Sequence, residues 1–150
     1  MIAVLLLAAA FQDAPSPTPP APSADTWAAL PQLQFRRPGV DIETLVRFVR
    51  GEVEAGRCPA ATVDTAGTTV VRAPVAVLVA PDGSVRRLVP AAIDCPTVEQ
   101  FTVGVIGRLA AGNVRAPWPA ADRWYRTGIT YNWSGAPAAA PLPSPSPDAR

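Results

Sequence analysis

Val75 to Ile93 (VAVLVAPDGSVRRLVPAAI) holds two strand-like runs on either side of Asp82-Gly83, and no other stretch constrains the fold as much. Asp-Gly readily takes positive φ at both central positions of a tight turn, so the spacing predicts a β-hairpin. In the first arm Val75, Val77 and Val79 alternate with Ala76, Leu78 and Ala80, so both faces are apolar and one has to be covered by helix. In the second arm Val85, Leu88 and Val89 carry the apolar positions, while Arg86 and Arg87 reach solvent. A short strand over Thr68 to Arg72 precedes the hairpin, set apart from it by Pro74.

Two helical patterns flank this hairpin. Asp41 to Gly56 begins with a good N-cap, Asp41, and its Ile42, Leu45, Val46, Val49 and Val53 recur at helical spacing. Glu43, Arg47, Arg50, Glu52 and Glu54 take the opposite, solvated side. In Pro96 to Gly112, Thr97 is the expected N-cap with Gln100 completing a capping box, and Val98, Phe101, Val105, Ile106 and Leu109 form the stripe. Gly104 and Gly107 each cost roughly 1 kcal/mol against alanine, and their small size implies close approach to the sheet. Trp124 to Ser134 then alternates apolar, aromatic and polar residues as a strand does. The expected fold is α+β: a small three-stranded antiparallel sheet around the hairpin, with both helices packed on one face.

Ten of the 19 prolines in the 150 residues cluster in Ala14 to Pro22 and Pro137 to Pro147, which marks off the ends. Residues 1–10 are expected to be a signal peptide, since the apolar run is too short for the roughly 20 residues of a membrane span and closes on an Ala-x-Ala site at Ala10. Residues 11–25 form a Pro-rich linker favouring polyproline II, residues 26–135 the folded domain, and residues 136–150 a Pro/Ala/Ser-rich tail expected to be disordered. Within the domain, Trp27 to Pro38 is expected to lie extended across it.

Chemistry is scarce. The chain has no histidine, which removes Ser-His-Asp and Cys-His catalysis and His-based metal sites. Its 13 basic residues, all arginine, are scattered among 12 acids for a net charge of +1, so there is no footprint for nucleic acid and no polybasic membrane patch. Asp82 is explained by its turn, Asp94 adjoins Cys95, and no Gly-rich phosphate loop or nucleophile elbow occurs. Asn132-Trp133-Ser134 fits a glycosylation sequon, which matters only in a eukaryotic secretory pathway. No enzyme activity, cofactor or metal is expected. In an exported chain Cys58 and Cys95 would form one structural disulfide, closing a loop of about 37 residues and adding about 4 kcal/mol. A redox-active pair would need the adjacent thiol that this spacing lacks.

The order of elements resembles the C-terminal domain of TonB, the periplasmic energy transducer. The residues that carry the resemblance are Val75 to Ala80, Pro81-Asp82-Gly83, Ser84 to Ile93, Val98 to Leu109 and Tyr125 to Trp133, with the Pro-rich segment before them resembling the family's periplasmic spacer. The chain departs from a full transducer in having no spanning helix and no coupling histidine, in its shorter spacer, and in the added Cys58/Cys95 pair. The resemblance therefore implies an exported periplasmic protein-binding module that keeps the domain without the motor. It further implies that the last strand pairs with an extended segment of an outer-membrane receptor, through Tyr125, Arg126, Thr127, Ile129, Tyr131 and Trp133, with Arg126, Tyr131 and Trp133 offering side-chain contacts. The alternative is a structural envelope protein whose sheet edge makes a homodimer. For the aromatics of this strand, ordinary core packing is the competing expectation.

Overall fold

A computed structural model describes residues 18–37 and 39–135 of the chain. The expected signal peptide, the first part of the linker and the tail at 136–150 lie outside them. Four strands form one antiparallel sheet: β1 (Thr62–Val63), β2 (Thr68–Val79), β3 (Val85–Pro90) and β4 (Arg123–Ser134). Two helices, α1 (Ile42–Glu54) and α2 (Pro96–Ala110), pack on one face, so the α+β architecture follows the sequence pattern.

The axis of the sheet is β2. Its residues Thr68 to Val79 pair one for one with Ser134 to Arg123 of β4, so β4 occupies one whole edge of β2. The other edge is shared: Thr69 and Val70 pair with β1, and Val75 to Val79 pair with β3. The short strand expected over Thr68 to Arg72 and the first hairpin arm are thus one strand running through Pro74. Pro74 has no N–H to give, and it sits just past the last β3 pair, where its carbonyl still accepts from the Ala91 N–H at 3.0 Å. Across from it stands Gly128, where a Cβ would come within 2.7 Å of the Ala73 carbonyl oxygen and 2.8 Å of the Pro74 Cα.

The hairpin turn differs from the two-residue form. Gly83 alone has positive φ, at 79°, and its N–H donates to the Ala80 carbonyl at 2.9 Å, with Pro81 and Asp82 between. The Asp82 carboxylate accepts from the Ser84 N–H and hydroxyl at 2.9 and 2.6 Å, and these bonds hold its pKa below the usual value. A pairing shift between Leu78 and Val79 absorbs the extra turn residue as a bulge.

Odd-numbered residues of β2 and β4 face the helices. Val71, Val75, Val77, Ile129 and Tyr131 join Val49 of α1 and Val98, Val105 and Ile106 of α2 in the main core. Each such aliphatic side chain contributes about 1.5–3 kcal/mol on full burial. Asp41 caps α1 as expected, accepting from the Thr44 hydroxyl at 2.7 Å and from the Thr44 and Glu43 N–H groups, and these bonds lower its pKa. At the start of α2 the cap is Cys95 rather than Thr97, and Glu99 rather than Gln100 reaches back, accepting from the Ile93 and Cys95 N–H groups at 2.8 and 3.2 Å. Gly104 and Gly107 do not touch the sheet backbone: a Cβ at Gly107 would meet only Leu88, at an ordinary 3.8 Å.

Glu52, placed on the solvated side by its charge, is buried at 7% exposure. It lies three residues from Val49, close to the apolar stripe, and its carboxylate accepts two bonds from Arg57, at 2.7 and 3.0 Å, and one from the Thr97 hydroxyl at 2.6 Å. Those bonds lower its pKa to about 2. Beside this node Cys58 and Cys95, both buried, are disulfide-bonded, so the end of α1 and the start of α2 are joined twice. Where the helices touch, Phe48 and Phe101 lie with ring centroids 4.4 Å apart.

Candidate functional site

The segment before α1 decides how much of the sheet edge is open. After a short 3-10 turn (Ala24–Ala29), Trp27 and Leu30 cover Ala76, Leu78 and Trp124 on the face away from the helices. The chain then crosses the edge of β4 and buries Leu33 in the helix-side core. At the crossing, the Arg126 N–H donates to the Pro31 carbonyl and the Leu33 N–H donates to the Arg126 carbonyl, both at 2.8 Å. The Arg126 Nε–H adds a bond to the Leu30 carbonyl at 2.9 Å. Farther on, Phe35 bridges to Val114, and the buried side chain of Asn113 holds both the N–H and the carbonyl of Arg37. Of the segment expected to lie extended over Trp27 to Pro38, Trp27 to Ala29 belong to the 3-10 turn, Pro38 lies outside the described residues, and residues 30–37 form a strap that grips β4 from outside.

That grip also fixes which backbone groups of β4 point outward. In an antiparallel strand, residues alternate between bonding one neighbour and facing the other side. Arg126 faces the strap, so Thr127, Ile129, Tyr131 and Trp133 bond β2, while Gly128, Thr130 and Asn132 turn their N–H and C=O groups to the open edge. Among the described residues nothing pairs with these six groups. The strap covers the edge at Arg126 and leaves it bare from Gly128 to Ser134.

Each residue expected to meet a partner takes a definite place. Thr127, Ile129 and Tyr131 turn their side chains into the core. Tyr131 is fully buried, its hydroxyl 2.8 Å from that of Thr102, and burial raises its pKa. Its side chain offers no contact to a partner, which corrects that part of the expectation. Tyr125 and Trp133 are half-buried against the same core, with the Arg123 guanidinium 5.9 Å from the Tyr125 ring centroid. Arg126 is exposed, with its backbone already taken by the strap. What a partner would meet on the bare edge is Thr130 and Asn132, both exposed. Sequence reasoning passed over them, although the alternation that places Ile129, Tyr131 and Trp133 inward places these two outward.

The chemistry of the rest is spare. Among the described residues no three potential metal ligands come together, and no helix is long and apolar enough to cross a membrane. Asp94, with φ of 57°, is an exposed turn residue before Cys95. Comparisons with family models, curated proteins and solved structures find no match for this chain.

Proposed function

We propose that the protein is an exported, periplasmic binding module, similar to the TonB C-terminal domain, that adds an extended segment of a partner protein to the bare half of β4. The observation that carries this reading is the row of outward N–H and C=O groups on Gly128, Thr130 and Asn132 beside an edge that, among the described residues, is sealed only at Arg126. A sheet edge with unpaired groups is a template for a further strand, which gains main-chain hydrogen bonds from every second residue. The buried Cys58–Cys95 disulfide supports export to an oxidising compartment. The succession of strand, Pro-Asp-Gly turn, strand, helix and strand supports the TonB-like reading, and with it a segment of an outer-membrane receptor as the partner.

The test is a photo-reactive amino acid at Thr130 in the full chain, irradiated in cell envelopes, with the adducts identified by mass spectrometry. Adducts to an outer-membrane protein, lost when Asn132 is replaced by proline, are the expected result. Self-adducts alone would instead assign the edge to a homodimer and the protein to envelope structure.

A further inference from the structure

Beyond the edge of β4, the face of the sheet away from the helices carries a groove of about 560 Å³. It exists because the strap stops short. Trp27 and Leu30 cover the rows of Ala76, Leu78 and Trp124, and the next row is Pro74 opposite Gly128, a flat proline beside a residue with no side chain. Trp27 and Pro22 wall the groove on the strap side, Pro90 lines it from the end of β3, and Pro74 lies between. An adjoining hollow continues over Gly128 to Arg72 and Thr130.

The lining restricts what can sit there. Pro22, Pro74 and Pro90 have no N–H, so an incoming β-strand would find few donors for a ladder. A polyproline II segment needs none, because its backbone makes no internal hydrogen bonds and its rings pack on aromatic and proline surfaces. The polar groups at the rim are cationic or neutral. Gln32 and Arg126 line the groove and Arg72 the hollow, and no acidic side chain lines either among the described residues. The bond from its Nε–H to the Leu30 carbonyl orients the Arg126 guanidinium, whose remaining N–H groups suit a carboxylate.

We infer that this groove binds an extended, proline-containing segment of a partner protein in the polyproline II conformation, with an acidic residue seated on Arg126. The inference is independent of strand addition at β4, because the groove lies on the face of the sheet and the bare groups lie along its edge.

Two probes test it by calorimetric titration of the full chain: a 12-residue proline–serine repeat with one central aspartate, and the same peptide with asparagine in its place. The aspartate peptide is expected to bind the wild type with a sub-millimolar Kd, about tenfold tighter than the asparagine peptide. Arg126→Gln should abolish that difference, Trp27→Ala should weaken both peptides by at least about tenfold, and Asn132→Pro, which blocks the edge at a residue that lines neither the groove nor the hollow, should change neither. The backbone bonds of residue 126 to the strap survive in Arg126→Gln, so that arm stands even where Trp27→Ala loosens the strap. No binding to the wild type at millimolar peptide, an undiminished aspartate preference in Arg126→Gln, or loss of binding in Asn132→Pro would each overturn the assignment. Tighter binding after removal of residues 136–150 would overturn the choice of occupant and give the groove to the chain's own proline-rich tail.

Discussion

The same strands present two faces, and the two are covered by different means. On the helix side, Val49, Val71, Val75, Val77, Val98 and Tyr131 are fully buried, and the polar atom that Tyr131 carries inside is met by Thr102. On the strap side, two side chains lie over Ala76, Leu78 and Trp124, the Trp124 Nε1–H has no acceptor among the described residues, and cover ends before Pro74 and Gly128. One face is packed and satisfied like a protein interior; the other is covered in part, with an orphan donor and an open groove. Stability is concentrated in the helix layer, and among the described residues the opposite face and the adjoining edge contribute less of it.

Removing the disulfide tests that division most severely. The double variant Cys58→Ser/Cys95→Ser should lose about 4 kcal/mol in urea unfolding, while the folded fraction still binds the aspartate peptide at the groove. A loss of peptide binding from the folded protein would show that the two faces are not separable. Gly128→Ala comes next. Its Cβ would press on the Ala73 carbonyl and the Pro74 Cα, so the strands must part, at about 2–3 kcal/mol in the same assay.

A pair of milder variants compares the faces directly. Tyr131→Phe removes a buried bond between hydroxyls, while the Thr102 hydroxyl keeps its bond to the Val98 carbonyl, and should cost about 1 kcal/mol. Trp124→Phe removes a donor that has no partner, so the relief offsets part of the lost packing and the net cost should stay below about 1 kcal/mol. Equal, large losses from both would mean that the strap face is packed as closely as the helix face.

The smallest effect is set by pH. Glu52 holds its carboxylate down to about pH 2 through Arg57 and Thr97, from an ordinary value of 4.5. Its contribution is therefore complete above pH 4.5 and fades as pH falls toward 2. Urea midpoints measured at pH 5, 3.5 and 2.5 should fall less steeply in Glu52→Gln than in the wild type.

Local pattern carried the helices, the hairpin and the last strand, because each buries a stripe of the right period. Pro74 concealed the length of β2, since a proline reads as a break unless one knows that β3 has ended and β1 has not begun at its position. Glu52 was misplaced because its partners lie beyond any local spacing: Arg57 follows the helix, and Thr97 is 45 residues away. At the candidate site the strand itself was legible and its polarity was not. Aromatic side chains suggested recognition at Tyr131, whereas the period of two assigns Tyr131 to the core and Thr130 and Asn132 to the edge. No local pattern could show that the strap would seal the edge at Arg126 alone, since that depends on where Pro31 and Leu33 land.

Pro74 and Gly128 together act as an alignment key. A slip of β4 by two residues would set Arg126 or Thr130 against Pro74, driving a side chain into space that accommodates only hydrogen, so the strand has a single seat. Whatever adds to its far side meets Thr130 and Asn132 at fixed addresses. Substitutions at those two positions change what the edge presents without disturbing how the domain is built.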